Sequence, residues 1–296
     1  MDLLLLKDVK GDTIEMHDLN EKEQHLLVDK LVISQMVESI NHNDCVLEIG
    51  PGTGNITRAL AKKGAFVTAI EVDQSFDRHL SRLRNVEVIY ADVIRSGVPD
   101  FSMLVSNLPF HITEPLISLL AEKQFLQAVL LVGGKFVKEA TAIPGDSDFG
   151  KLSLLVQSFF DLTYLREVEK NCFDPPPRVT AALVRISPAK PKDFLLQVFR
   201  ELFEQRDKKF KNALREALVR VKGITKNAAR EAIDSMALPE DWLSGNLENL
   251  SNADLCVLCQ KIKSSSDEIR DQDQPRVSHE HNRPICCTDQ GADRVN

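Results

Sequence analysis

Apolar positions along this chain follow two rhythms. Predominantly apolar stretches at 45–49, 66–72, 86–90, 101–105 and 128–132 have the length of strands. Between and after them, at about 55–63, 74–83, 114–123 and 150–160, the pattern predicts helices. Such alternation means an α/β fold, a mostly parallel sheet with helices on both faces. Two further apolar stretches, 162–168 and 180–186, flank Asp174-Pro175-Pro176-Pro177 with no helix between them. They predict an antiparallel pair closing the sheet edge. Leu31, Val32, Met36, Val37 and Ile40 predict an earlier helix over 28–40. After Pro188-Ala189-Lys190-Pro191 the pattern is helical only, through about 262. The expected organisation is therefore an irregular arm at 1–20, an α/β domain at 21–188 and a small all-α domain at 189–262. From 263 onward Ser, Asp, Gln, Arg and Pro dominate, and apolar residues are too sparse to offset ordering entropy, so a disordered tail is expected over 263–296.

Composition narrows the class. With 296 residues, 43% hydrophobic and 27% charged, the chain can bury a full core. No apolar run approaches the roughly 20 residues needed to cross a bilayer, and a cytoplasmic monomer is the simplest expectation. Six cysteines without the spacing of a disulfide scaffold fit reduced thiols. Cys256 and Cys259 lie in an apolar helical stretch, and His279, His281, Cys286 and Cys287 in the expected tail, so no metal site is expected. A net charge of −7 argues against a nucleic-acid binder, since phosphate contacts need basic surface. The charge is uneven, however: between Ala189 and Gly223 ten Lys and Arg stand against five acids. On a helix Lys208, Lys211 and Arg215 would share a face, either a solvated amphipathic surface or a phosphate-contacting one.

The candidate chemistry gathers at the predicted strand ends. Val46-Leu47-Glu48-Ile49-Gly50-Pro51-Gly52-Thr53-Gly54 reads as a buried strand, a glycine turn and a helix start. Glycines at alternate positions let backbone approach a ligand closely. A dinucleotide fingerprint places its third glycine one residue later, so an ordinary glycine-rich turn or a degenerate nucleotide site remains an alternative. Glu71 ends the next strand, where an acid can take both hydroxyls of a ribose. Asp92 ends the third, where a carboxylate can accept an adenine amino group. Asn107-Leu108-Pro109-Phe110 follows the fourth. The Asn107 amide oxygen and a backbone carbonyl at Leu108 or Pro109 can accept the two N–H bonds of an exocyclic amine. Phe110 offers a ring on which a base can stack. Cofactor and amine would then meet at one sheet edge.

The glycine segment with Glu48 resembles the first motif of class I (Rossmann-like) S-adenosylmethionine-dependent methyltransferases. Taken with Gln24 to Asp29, Glu71, Asp92, Asn107 to Phe110, Phe149 to Ser153 and Phe173 to Val179, the chain resembles the KsgA-type rRNA adenine N6,N6-dimethyltransferase family over about residues 21–262. Gln205 to Leu214 is similar to that family's basic helix. The resemblance implies S-adenosylmethionine contacts at His25, Leu27, Glu48, Gly50, Gly52, Gly54, Glu71, Asp92 and Asn107. It implies catalysis by Asn107, Leu108, Pro109 and Phe110, and an aromatic clamp of Phe110 and Phe173 around the target adenine. RNA contacts would come from Arg206, Lys208, Lys209, Lys211 and Arg215. The implied reaction is dimethylation of two adjacent adenosines near the 3′ end of small-subunit rRNA, with the assembling small ribosomal subunit as partner. Two other readings stand beside it: a large-subunit rRNA adenine methyltransferase of the macrolide-resistance type, and a non-catalytic assembly or transcription factor keeping the fold. The chain departs from the family pattern at Leu26, where Phe is usual, and at Phe110, where Tyr is commoner. It departs again at Gly133-Gly134-Lys135-Phe136-Val137-Lys138, where Gln-Lys-Glu-Val-Ala is common.

Overall fold

The computed structural model describes residues 5–7, 13–15 and 25–270. Two short strands, β1 (Leu5–Lys7) and β2 (Thr13–Glu15), pair antiparallel within the stretch expected to be irregular. A third, β3 (Leu26–Leu27), precedes helix α1 (Lys30–Met36), whose first turn is capped by the Asp29 carboxylate accepting from the backbone N–H groups of Leu31 and Val32. Then follow β4 (Cys45–Ile49), α2 (Asn55–Lys62), β5 (Phe66–Glu71), α3 (Asp77–Leu80), β6 (Val86–Tyr90), α4 (Val93–Ser96) and β7 (Met103–Asn107). The α/β part continues through α5 (Thr113–Leu120), β8 (Gln127–Gly133), α6 (Gly134–Thr141), α7 (Lys151–Phe159), β9 (Phe160–Val168), β10 (Phe173–Asp174) and β11 (Ala181–Pro188).

Seven strands form one sheet in the order β6-β5-β4-β7-β8-β11-β9. The first five run parallel, and β11 lies antiparallel between β8 and β9, as the two apolar stretches around the proline run predict. The central strands are apolar on both faces because both are covered. Alternate residues separate the two sides: Leu47, Ile49, Leu104, Leu130 and Val132 join one buried cluster, while Val46, Met103, Val105, Val129 and Leu131 join the other. By the same alternation Glu48 points to the side covered by α2.

Five helices follow, α8 (Phe194–Glu204), α9 (Phe210–Lys222), α10 (Lys226–Ser235), α11 (Glu240–Ser244) and α12 (Asn252–Arg270). Phe199, Leu202 and Phe203 of α8 belong to the same apolar cluster as Leu130 of the sheet and Phe159 of α7, so the core continues from sheet to helices. Edge contacts between the Phe159 and Phe203 rings, 6.3 Å apart, lie on that path. Cys259 is part of this core, consistent with a packing residue. The last helix runs to Arg270, past the boundary expected at 262; the rest of the expected tail, 271–296, lies outside the described residues. No helix among the described residues is long and apolar enough to cross a membrane.

Two elements differ from their predictions for visible reasons. The helix expected over 74–83 is a short 3-10 turn, Gln74–Phe76, followed by α3, and the chain leaves it to enter β6 through Asn85 at φ 59. Helix α6 is unpredicted because its opening glycines disfavour helix in isolation. Packing of Phe136 and Ala140 into the core supplies what propensity lacks.

Candidate active site

The glycine turn after β4 is the floor of the site. Gly50 takes φ +65, and its N–H donates to the Ile70 carbonyl at 2.9 Å, tying the turn to β5. Gly52 takes φ +53, and a Cβ there would come 2.8 Å from Leu26 Cδ2, so this position accommodates both the backbone and the Leu26 side chain lying over it. Gly54 caps α2 and packs beside Leu80.

Glu71, 3% exposed, reaches back from the end of β5. Its Oε2 accepts from the Gly52 N–H at 3.0 Å and its Oε1 from the Asp73 N–H at 2.9 Å, which hold the carboxylate at the cavity wall. Burial raises its pKa above the ordinary value, against the lowering effect of those N–H groups. Asp92 caps α4, its Oδ1 accepting from the Ile94 N–H at 2.9 Å. Glu48 sits differently: it is 1% exposed, its Oε2 has no hydrogen-bond partner, and burial pushes its carboxyl up to about 8. It lies beneath the turn and does not line the cavity expected to hold the cofactor. Leu27 and Gly54 likewise stand outside the lining.

Asn107 is the last residue of β7. The strand end is pinned by the Ser106 hydroxyl donating to the Ile49 carbonyl at 2.5 Å and by the Leu108 N–H donating to the Leu131 carbonyl at 3.1 Å. The Asn107 Nδ2 donates to the His25 carbonyl at 2.8 Å, so the amide oxygen is turned away from β3. Pro109 continues into a 3-10 turn, Phe110–Ile112, with its carbonyl accepting from the Ile112 N–H at 3.1 Å. The segment at His25 is itself strapped down, since β3 pairs with β10, placing Leu27 opposite Phe173, and His25 Nδ1 lies 3.0 Å from the Pro175 carbonyl. The peptide between Asp174 and Pro175 is cis.

These residues surround a cavity of about 650 Å³. His25, Gly50, Gly52, Glu71, Asp92 and Asn107 line it, together with Leu108, Pro109 and Phe110. Its volume lies within the usual range for small-molecule sites, roughly 300–1,000 Å³. A positive-φ glycine cradle, a buried carboxylate and a strand-end acid in one cavity suit an adenosyl group with a short charged tail; the residues fit S-adenosylmethionine. On the other side of Phe110 and His111 opens a groove of about 1200 Å³ between the sheet edge and the C-terminal helices. Phe110 lies over Gly133, where an added Cβ would stand 3.4 Å from the ring, and Tyr164, 50% exposed, faces the same groove.

Two expectations are corrected. Phe173 is 3% exposed and packed in the core beside Leu27, because pairing of β10 with β3 turns its ring inward; it lines neither cavity. Lys208 precedes α9, which starts at Phe210, so it does not share a helical face with Lys211 and Arg215. Lys208 pairs with Glu216 at 2.8 Å, and Arg206 pairs with Glu122. Arg215 is half-buried, with Nε unpartnered, while Lys209 and Lys211 are exposed. Nothing in the sequence marks Asn55, the first residue of α2, or Arg58, one turn further on, as site residues.

Sheet order, the glycine turn and acids at successive strand ends define a class I methyltransferase. The chain matches the ribosomal RNA adenine dimethylase family over residues 18–238. It belongs to that family. A "Probable ribosomal RNA small subunit methyltransferase A" of Methanopyrus kandleri is 33% identical over 256 residues, covering 82% of this chain and 91% of that protein. The "Ribosomal RNA small subunit methyltransferase A" of Thermotoga maritima is 32% identical over 233 residues, covering 74% and 83%. Among solved structures, a dimethyladenosine transferase from Plasmodium falciparum superimposes with a TM-score of 0.55 at 24% identity, covering 82% of this chain and 98% of that one. The 23S rRNA methyltransferase ErmE gives 0.50 at 23% identity, covering 80% and 99%; both likenesses concern the fold.

Proposed function

We propose that this chain transfers methyl groups from S-adenosylmethionine to N6 of adenosines in small-subunit rRNA, twice at each of two adjacent adenosines. The observation that carries the reading is the segment Asn107 to His111, which lines the donor cavity and whose Phe110 and His111 also line the larger groove beside it. S-adenosylmethionine supplies an electrophilic methyl on a sulfonium. Adenine N6 is a weak nucleophile because its lone pair is conjugated into the ring. The chain's contribution is therefore to hold the amine in line and to accept its N–H bonds, which shifts it toward tetrahedral geometry. The Asn107 Oδ1 is one acceptor. The Leu108 carbonyl is the better second one, since that of Pro109 already serves the Ile112 N–H. Phe110, whose ring lies over Gly133, holds the base by stacking. No strong base is required, because the cationic product amine loses its proton readily.

The RNA face proposed here centres on Lys209 and Lys211 at the start of α9. Arg206 and Lys208 hold acids in exposed pairs that solvent screens, and can exchange them for phosphates. The similarity to relatives named for the small subunit favours that substrate over large-subunit RNA. The test is transfer of labelled methyl to unmethylated small-subunit particles against large-subunit RNA. Label in the small-subunit RNA supports the reading; label confined to the large-subunit RNA replaces it with the macrolide-resistance type.

A further inference from the structure

Two side-chain amides hold β3 from the methyltransferase side. Asn107 Nδ2 donates to the His25 carbonyl at 2.8 Å, and Asn55 Nδ2 donates to the Leu27 carbonyl at 2.8 Å. The Asn55 amide cannot turn round, because its Oδ1 accepts from Arg58 Nη2 at 2.6 Å. Arg58 Nη1 in turn donates to the Thr53 carbonyl at 2.8 Å, so one guanidinium ties the end of the glycine turn to Asn55. The space between β3 and the turn is about 20 Å³, room for about one water. Leu26 closes it over Gly52.

We infer that Asn55 is a positioning residue for the amide of Asn107, acting through β3. Asn55 lines neither the donor cavity nor the groove, so it touches neither proposed substrate. It fixes how far β3 stands from α2. The His25 carbonyl, two residues before Leu27, then fixes which way the Asn107 amide faces. Without that anchor β3 is held from the β10 side alone, and the His25 carbonyl no longer keeps a single position against the Asn107 amide. The inference rests on the proposed role of Asn107 in methyl transfer.

Asn55→Asp tests it in the full chain, because the carboxylate keeps the shape and the Arg58 contact but cannot donate to Leu27. Hydrogen exchange of the 25–28 segment is measured alongside kcat at saturating S-adenosylmethionine and RNA. The expected result is faster exchange at 25–28 and a fall in kcat of up to about fivefold, no larger than that of Asn107→Asp, with RNA affinity unchanged. Introduced into Asn107→Asp, which already cannot donate to His25, the same change should add less than about a twofold further loss, because coupled sites are not additive. Asn55→Ser, too short to reach Leu27, should behave like Asn55→Asp if either variant folds less well. Unchanged kcat, unchanged exchange, or losses that multiply fully in the double variant would overturn the inference. A wild-type chain that transfers no methyl would overturn the reaction itself, whereas active wild type with unaffected Asn55 variants overturns only the role of Asn55.

Discussion

The two atoms of the Asn107 amide have separate roles in this proposal, and substitutions can tell them apart. Asn107→Ala removes both the oxygen proposed to accept the target amine and the nitrogen that donates to the His25 carbonyl. Loss of a preorganised acceptor at a reacting centre costs roughly 10²–10³ in kcat. Loss of the strap bond costs about 1 kcal/mol, which predicts an approximately fivefold weaker hold on S-adenosylmethionine, since His25 lines the cofactor cavity. Asn107→Asp keeps an acceptor and loses only the donor. Its kcat should fall by less than about tenfold while cofactor binding weakens at least as much as in the Ala variant. Single-turnover transfer of labelled methyl gives the first quantity and titration calorimetry the second. If Asn107→Ala kept kcat within about threefold of wild type, the amine-acceptor role would be refuted, whatever happened to cofactor affinity.

Other groups give independent checks. Glu71→Gln should weaken S-adenosylmethionine by about tenfold or more with kcat at saturation little changed, since a charged acceptor on ribose hydroxyls acts mainly in binding; calorimetry that shows unaltered affinity contradicts this. Glu48 has its folded pKa raised to about 8, above its unfolded value, so the folded state holds a proton that the unfolded state gives up. Stability from this group is therefore greatest at low pH and is lost as pH rises toward about 8, by up to a few kcal/mol. Glu48→Gln should melt higher than wild type at pH 8.5 and converge with it near pH 4.5, and parallel pH profiles of Tm would rule this out. Neutralising Lys209 and Lys211 together should flatten the salt dependence of RNA binding, the logarithmic slope falling by about 0.7–0.9 for each phosphate no longer paired with a cation. Neutralising Arg206 and Lys208 should do less, given their acidic partners, and the reverse ranking in a salt titration would move the RNA face.

Much of this architecture is legible in the sequence because the strands of a parallel sheet leave predominantly apolar runs at its centre and an alternating one at its edge. Cys45–Ile49 and Val86–Tyr90 coincide with their predicted runs, and Asn107 ends the fourth strand where the chemistry needs it. What the sequence conceals depends on contacts between distant segments. Leu26–Leu27 is too short to show a strand period, yet it forms one because Phe173–Asp174 supplies the partner. The same pairing buries the Phe173 ring that a linear motif offers as a stacking face. Lys208 follows a helical spacing on paper, but the chain turns between Gln205 and Lys209 before α9 begins. The Gly133-Gly134 departure can be read only beside distant segments, since a Cβ at Gly133 would touch the Phe110 ring and one at Gly134 the Thr180 carbonyl, each at 3.4 Å.

The measurement closest to the central claim is nucleoside analysis, by mass spectrometry, of small-subunit rRNA from unmethylated particles incubated with this chain and S-adenosylmethionine. The account predicts N6,N6-dimethyladenosine, with the monomethyl species appearing first and then declining, confined to two adjacent adenosines near the 3′ end. Absence of any methylated adenosine under conditions where both cofactor and particle are bound would contradict it, and would favour a chain that keeps the fold and the RNA grip without turnover.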